Sequence, residues 1–353
     1  MTESGAQKST IVRAESDRRV ARRRAARRRR AALQLAVVRA RLGLLQRIAP
    51  RRAAQHALDL WATPPDGAGR RRDDRPAPGT LGSVTTDGGS HLVVETWSPP
   101  SGPVPAEVLV TGAPTAVAPS SGSTPGGTVA DLGAVYLVHG WGGWRGQLGA
   151  FVEPLRAAGY RVVAFDALSH GDSGPGRFGP RRSTVPEMAE SLAAVVRVHG
   201  EPTAVVAHSL GTATTTLAVR DGLEVGRLVL VAAITDPLGE LERFADALRL
   251  AAPTRALLRA LILDVAGRPL SDLDVLDTVR SHPLPPALVV HDRADKEVPF
   301  EVGAALAAAW PEGELLATDG LGHHRLLRDP TVVRTVVDYL APVGVRAAGV
   351  GDA

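Results

Sequence analysis

The chain has 353 residues, of which 44% are hydrophobic and none is cysteine. This hydrophobic content suffices for a sizeable core and excludes a wholly disordered protein, while the absence of thiols excludes a disulfide scaffold, a thiolate metal site and a cysteine nucleophile. The net charge of +4 conceals an asymmetry, because residues 1–75 hold 20 Lys and Arg against 7 Asp and Glu, whereas residues 76–353 hold 21 against 30.

The N-terminal segment carries this basic charge. Residues 1–30 are polar and dense in arginine, so we expect a disordered arm. Over residues 31–62, apolar side chains recur every three or four positions, which predicts amphipathic helices interrupted at Pro50. We expect these helices to lie on the main domain. The alternative is a basic surface that contacts an anionic membrane or, with less support, nucleic acid. Residues 63–80 are rich in Pro, Gly, Arg and Asp and indicate a linker.

The start of the chain superficially resembles a secretion signal. Its apolar run over residues 31–38 is short, is broken by Arg39 and Arg41, and is not followed by a clean cleavage site. No apolar stretch approaches the roughly 20 residues that a membrane-spanning helix needs. We therefore expect a cytoplasmic protein, or one that contacts a membrane peripherally through its basic N-terminal segment.

Residues 81–345 indicate one α/β domain. Weak alternation at His91–Trp97 predicts a strand near a sheet edge, and residues 99–131 have the composition of a flexible insertion. From Ala134 onward, short apolar runs alternate with helical patterns, which is typical of a parallel, doubly wound sheet covered by helices on both faces. Residues 346–353 form a tail. The remaining strands are expected at 134–138, 161–165, 203–207, 227–234, 287–291 and 314–317.

A glycine-rich segment, His139–Gly143, follows the first buried strand. Glycines here let backbone N–H groups face a cavity, as an oxyanion hole requires, although an ordinary strand-to-helix turn has the same composition. The expected donors are the N–H groups of Trp141 and Leu210. The neighbouring residues predicted to contact substrate are His139, Gly140, Gly142 and His208.

The segment Ala207–Gly211 ends a buried strand and begins a helix, which is the context of a nucleophile elbow. The strand and helix backbones nearly touch at such a turn, so small residues are needed two positions before and two after the nucleophile. Gly211 meets this need, and Ala207 adds one methyl group where glycine is commoner. Ser209 is the predicted nucleophile, with a serine that merely caps the helix as the alternative.

An acidic cluster follows the run over residues 287–291. Asp295 is well placed there to orient an imidazole and to stabilise its charged form. Asp292 and Glu297 are its competitors in the same loop. Asp236, which ends the preceding strand, is a less expected substitute.

The last of these polar positions is His323, between the short strand near 314–317 and the final helix. Its imidazole could take the proton of Ser209 and return it to a leaving group. His324 is the neighbour with which it could be confused. Serine, aspartate and histidine then follow one another in the chain order of a known catalytic triad.

Together these motifs resemble the α/β-hydrolase superfamily over about residues 85–342. The resemblance implies an eight-stranded, mostly parallel sheet, a triad of Ser209, His323 and Asp295, and an oxyanion hole from Trp141 and Leu210. Serine at the elbow argues against the dehalogenases and many epoxide hydrolases of this fold, which use aspartate. The matching segments are His139–Gly143, Phe165–Gly174, Ala207–Gly211, His291–Pro299 and Gly322–His323.

The resemblance also bears on two further segments. The stretch at Asp166 is expected to form a structural turn with no catalytic role for Asp166 or His170. Residues 237–283 carry a helical pattern and are expected to form a cap or lid that shapes an acyl pocket, or else only to pack on the sheet edge.

The resulting functional hypothesis is a serine hydrolase that cleaves a small-molecule carboxylic ester, or a related acyl bond, through an acyl-enzyme. It requires neither cofactor nor metal. The same triad could instead cleave a thioester, a lactone or a carbon–carbon bond, or catalyse cofactor-free peroxidation. A different class of hypothesis is a catalytically degenerate protein that binds membrane or nucleic acid through its basic arm.

Overall fold

The structure is a computed structural model that describes residues 22, 26, 29–65, 73–100 and 132–342. The chain forms two compact units, which we call the helical unit (Met1–Trp61 with Gly239–Val265) and the sheet unit (Ala62–Leu238 with Ala266–Ala353). Most of the expected N-terminal arm, most of the expected insertion over 99–131 and the tail over 346–353 lie outside the described residues.

The sheet unit contains an eight-stranded sheet in the order β1-β2-β4-β3-β5-β6-β7-β8. Strands β1 and β2 run antiparallel to their neighbours, and all pairings from β4 to β8 are parallel. This confirms the predicted eight-stranded, mostly parallel sheet. The strands are β1 (Thr80–Thr85), β2 (His91–Trp97), β3 (Ala134–Val138), β4 (Arg161–Phe165), β5 (Pro202–His208), β6 (Arg227–Val231), β7 (Ala287–Asp292) and β8 (Gly313–Thr318).

Burial explains why the central strands are continuous apolar runs. Every residue of β3 and of β7 is buried, because helices cover both faces of the sheet. The edge strand β1 buries only one of its residues, Val84, so it lacks the alternation that would have predicted a strand directly after the expected linker. The strand expected over 227–234 ends earlier, at Val231, because Ala232 turns to a φ of 51°.

Two hydrophobic cores flank the sheet. Side chains alternate along β3, so that Tyr136 and Val138 join one core while Val135 and Leu137 join the other. The helices of this unit are α3 (Val152–Ala157), α4 (Val185–His199), α5 (Leu210–Arg220), α8 (Val275–Ser281), α9 (Phe300–Ala309), α10 (Gly322–Arg325) and α11 (Pro330–Leu340). The six mutually parallel strands, β3 to β8, have their carboxyl ends at the same edge of the sheet, where the polar motifs begin.

The helical unit combines the start of the chain with the insertion after β6. Helix α1 (29–48) and α2 (Pro50–Ala62) are separated at residue 49, since proline fits the first position of a helix but not its interior. Helices α6 (Pro237–Ala247) and α7 (Ala252–Ala266) occupy the insertion. Its expected role as a cap stays a prediction.

Specific contacts join the two segments of the helical unit. The Arg39 side chain donates to the carbonyl oxygen of Ala247 at 2.6 Å, and the Gln46 side chain accepts from the N–H of Ala251 at 2.7 Å. The ring of Trp61 packs on that of Phe244, in α6, with centroids 5.2 Å apart. The N-terminal helices therefore pack on the insertion, a partner that their own pattern did not identify.

Within the described residues, none of the helices combines the length and the apolar character needed to span a bilayer.

Candidate active site

Ser209 occupies a strained turn between β5 and α5. Its backbone has a φ of 54° and a ψ of −122°, a conformation that costs a non-glycine residue on the order of 1–3 kcal/mol. The turn is fixed by the Ser209 N–H, which donates to the carbonyl of Val231 at 2.9 Å. A Cβ on Gly211 would lie 2.7 Å from the carbonyl oxygen of His139. The backbone at Gly211 thus lies as close to the backbone at His139 as a nucleophile elbow requires.

A continuous chain of hydrogen bonds links Ser209 to a carboxylate. The Ser209 Oγ lies 3.0 Å from His323 Nε2, and His323 Nδ1 lies 2.8 Å from Asp295 Oδ2. Because the ionised carboxylate can only accept, the Nδ1 position carries the proton, and Nε2 is left to accept the serine proton. Ser209 is 8% exposed and His323 6% exposed, so this line is shielded from bulk water.

The Asp295 carboxylate is held from its other side. Its Oδ1 accepts the backbone N–H groups of Glu297 at 2.8 Å and Val298 at 3.1 Å, and its side chain is fully buried. Oδ1 therefore fixes the loop, while Oδ2 is left to orient the imidazole of His323.

Asp292, the nearest competitor of Asp295, has a different set of partners. It accepts the hydroxyl of Thr318 at 2.7 Å and the N–H groups of Leu321 at 2.9 Å and Gly322 at 2.8 Å. Burial raises the pKa of this carboxyl, but these hydrogen bonds, with that of the Ala294 N–H, outweigh burial and hold the pKa below its usual value. Asp292 therefore anchors the loop that carries His323.

The remaining competitors lie elsewhere. Glu297 pairs with His324 at 3.1 Å on the surface, which lowers the pKa of Glu297 and raises that of His324. Asp236 is exposed. The carboxylate that bonds to the imidazole of His323 is that of Asp295.

The predicted oxyanion donors flank Ser209. A Cβ on Gly140 would lie 3.0 Å from the Cβ of Ser209, so the backbone leading into Trp141 runs directly past the serine. Leu210 is the first residue of α5, so its N–H has no acceptor within the helix. The helix start also contributes a partial positive charge beside Ser209.

The histidine at the head of the glycine-rich loop is buried. His139 Nε2 accepts the N–H of Ala167 at 3.1 Å, so its Nδ1 carries the proton and donates to the carbonyl of Gly140 at 2.8 Å. Gly142 adopts a φ of 67°, and a Cβ there would lie 2.5 Å from Pro65. These two residues shape the loop, and their predicted contact with substrate stays a prediction, as does that of Gly140.

His208 lies directly behind the site. Burial, with a smaller contribution from His323, holds the pKa of His208 well below its ordinary value, so the ring is neutral. Its Nε2 donates to the backbone carbonyl of His323 at 3.0 Å. Its Nδ1 has no partner among the described residues. His208 therefore supports the loop of His323 from β5, while its predicted contact with substrate stays a prediction.

The sequence did not predict a buried network of ion pairs next to the glycine-rich loop. Asp166 accepts the backbone N–H and the guanidinium of Arg145, both at 2.6 Å, and Arg145 also contacts Glu95 at 3.2 Å. A Cβ on Gly171 would lie 2.0 Å from the Asp166 carboxylate. The structural turn expected at Asp166 is thus tied to the loop after β3, but nothing in the local pattern singled out Arg145.

One group among the described residues has metal-ligand geometry. Single ring nitrogens of His208, His323 and His324 lie within 4.8 Å of one another. Both nitrogens of His323 already bond to Ser209 and Asp295, and His324 bonds to Glu297. A metal ion at this point would compete with those bonds, so the arrangement favours proton transfer.

Comparison with known proteins agrees with the fold. Residues 135–336 match the family model described as the alpha/beta hydrolase family, and the chain belongs to this family. Est1E from Butyrivibrio proteoclasticus, solved with ferulic acid, is 18% identical with a TM-score of 0.52, over 74% of this chain and 96% of that one. A predicted CIB-like hydrolase from Thermoplasma acidophilum is 15% identical with a TM-score of 0.50, over 74% and 97%. No match was found among curated protein sequences.

Proposed function

We propose that this protein is a serine hydrolase that cleaves carboxylic esters through an acyl-enzyme. The observation that carries the proposal is the unbroken line of hydrogen bonds from Ser209 through His323 to Asp295, with Ser209 held in a strained turn at the start of a helix. A serine that merely capped α5 would not need this backbone conformation, and its side chain makes no capping bond to the helix.

The first half-reaction follows from these distances. The Ser209 Oγ attacks the ester carbonyl carbon while its proton passes to His323 Nε2. The Asp295 carboxylate stabilises the imidazolium that forms, without taking its proton. The tetrahedral intermediate then collapses, the carbon–oxygen bond to the alcohol breaks, and the leaving alkoxide takes the proton from His323.

The second half-reaction repeats these steps with water. His323 Nε2 takes a proton from the water that attacks the acyl carbon, and the acid leaves as Ser209 recovers its proton. In both halves the negative charge on the carbonyl oxygen would be held by the N–H groups of Trp141 and Leu210. The loop past Gly140 and the free N-terminus of α5 support this assignment.

The test is hydrolysis of p-nitrophenyl esters, from acetate to palmitate, by the wild type and by Ser209→Ala. We expect the wild type to turn over some chain length and Ser209→Ala to lose at least about 10⁴-fold in kcat. Ser183→Ala removes another buried serine hydroxyl and serves as the matched control, with activity within about twofold of wild type. Equal trace rates for the wild type and Ser209→Ala would contradict the proposal.

A further inference from the structure

Helix α1 exposes a row of large apolar side chains. Their positions are separated by four, seven and four residues, so at 3.6 residues per turn they lie on one side of the helix. These residues are Leu33, Val37, Leu44 and Ile48, which are 67%, 60%, 63% and 73% exposed. We call this row the apolar stripe.

The apolar stripe is not the side by which α1 packs in its own unit. The packed side holds Leu42, which is fully buried, together with Arg39 and Gln46, which bond to the backbone of residues 247–251. These positions lie about half a turn away from the stripe. The helix therefore has two apolar sides, and among the described residues only the side with Leu42 is packed.

Arginines border the apolar stripe on both sides. On a helical projection Arg29 and Arg47 fall along one margin and Arg30 and Arg41 along the other, and all four are exposed. Residues 29–62 hold seven arginines and one acidic residue. The preceding 28 residues add eight arginines and a lysine against three acidic residues.

We propose that this side of α1 docks on an anionic lipid surface, with the helix axis parallel to the membrane. The apolar stripe would enter the boundary between headgroups and acyl chains, and the bordering guanidinium groups would reach the lipid phosphates. Anionic lipids attract a basic amphipathic helix that has no acidic residues.

Two other occupants fit the surface less well. Nucleic acid would satisfy the arginines but would leave four large apolar side chains against a polar phosphate backbone. A second copy of the chain would bury the stripe but would bring two sets of arginines together without acidic partners. The combination of stripe and charge therefore favours lipid.

The experiment is flotation of the full-length protein with vesicles of phosphatidylcholine, and with vesicles of phosphatidylcholine and phosphatidylglycerol at 7:3. The stripe variant is L33Q/V37Q/L44Q/I48Q, and the charge variant is R29Q/R30Q/R41Q/R47Q. The matched control, L81Q/V198Q/L263Q/L315Q, replaces four large apolar residues that are exposed elsewhere. Circular dichroism and ester hydrolysis report folding for each protein.

We expect the wild type and the matched control to bind the anionic vesicles and to dissociate as salt rises. The stripe variant should bind about 100-fold more weakly. Each arginine near an anionic surface strengthens binding by roughly fivefold, so the charge variant should lose several hundredfold on anionic vesicles and little on neutral ones. If the stripe variant fails to fold, the loss of binding to anionic vesicles by the charge variant still tests the proposal.

Three results would overturn the proposal. The first is vesicle binding by the stripe and charge variants equal to that of the wild type. The second is absence of wild-type binding to anionic vesicles while a 30-base-pair DNA duplex binds the wild type and the stripe variant alike. The third is a dimer of the wild type in solution that the stripe variant abolishes, without vesicle binding by either protein.

Discussion

Asp292 and Asp295 stand three residues apart at the end of β7, yet their carboxylates have different partners. Asp295 bonds to the imidazole of His323, whereas Asp292 bonds to the backbone of the loop that presents His323. The first contact acts on the protonation and orientation of the ring, and the second acts on where the ring is held. Substitution of Asp295 should therefore affect mainly catalysis, whereas substitution of Asp292 should affect mainly stability.

We expect Asp295→Asn to lower kcat by several orders of magnitude with little change in the melting temperature, since the amide cannot stabilise the imidazolium. Asp292→Asn should lower the melting temperature and reduce kcat/KM by about 10–100-fold, because a buried acceptor of several donors is lost. Glu297→Gln, in the same loop, should stay within about twofold in activity. Steady-state kinetics and thermal unfolding measure these effects.

The assignment would be reversed if Asp292→Asn lost more kcat than Asp295→Asn while both proteins melted at the wild-type temperature.

The surface pair of His324 and Glu297 makes a prediction about pH. The hydrogen bond that the His324 ring donates to the Glu297 carboxylate raises the pKa of His324 above its ordinary value of 6.5. A raised histidine pKa means that the stabilisation from this pair is fully present below about 6.5 and is lost as the pH rises through the folded-state pKa. NMR titration should show the pKa of His324 falling toward 6.5 in Glu297→Gln, and an unchanged value would contradict the pairing.

At the scale of elements, the crossing of β5 into α5 depends on the absence of a side chain at Gly211. An added Cβ would lie 2.7 Å from the His139 carbonyl oxygen and 2.8 Å from that of Val138, and backbone atoms cannot move aside cheaply. Gly211→Ala should therefore cost at least about 1–3 kcal/mol in the free energy of unfolding and should displace Ser209.

The control for this substitution is Gly82→Ala, in β1. A Cβ there meets no atom within 4 Å, so the change should leave the free energy of unfolding within about 0.5 kcal/mol. Urea unfolding of both variants gives the comparison. Equal effects would show that the close approach at Gly211 does not limit stability.

At the scale of the whole molecule, the helical unit joins residues that are about 200 positions apart in the chain. Leu42 and Leu44 test which side of α1 carries this association. Leu42→Ala removes a fully buried side chain and should cost about 2–5 kcal/mol. Leu44→Ala removes one that is 63% exposed and should cost less than about 0.5 kcal/mol. Urea unfolding measures both, and equal costs would contradict the packing of α1.

Features that depend on local pattern could be predicted from the sequence. The buried runs of β3 and β7 are continuous because both sheet faces are covered. The position of Ser209 follows from the turn after such a run, β5, and that of His323 from the turn between the last strand and the final helix. The break at Pro50 follows from proline chemistry alone. These features need no knowledge of distant residues.

Features that depend on distant residues could not be predicted in this way. The strand β1 is paired with β2 but almost wholly exposed. Its sequence therefore lacks the alternation of apolar and polar residues that predicts a strand. Asp292 and Asp295 both bond to the segment that carries His323, and only the folded chain determines which of them meets its backbone and which its imidazole. Arg145 gains its role from Asp166 and Glu95, and the pattern of α1 shows two apolar sides without showing which one meets α6 and α7.

The central claim is that Ser209 is a nucleophile activated by His323, and labelling with a fluorophosphonate followed by peptide mass spectrometry tests it most directly. We predict one adduct per chain, on Ser209, which is absent in Ser209→Ala and forms at least about 10³-fold more slowly in His323→Gln. Labelling of another residue, or labelling of Ser209 at the same rate without His323, would contradict the account.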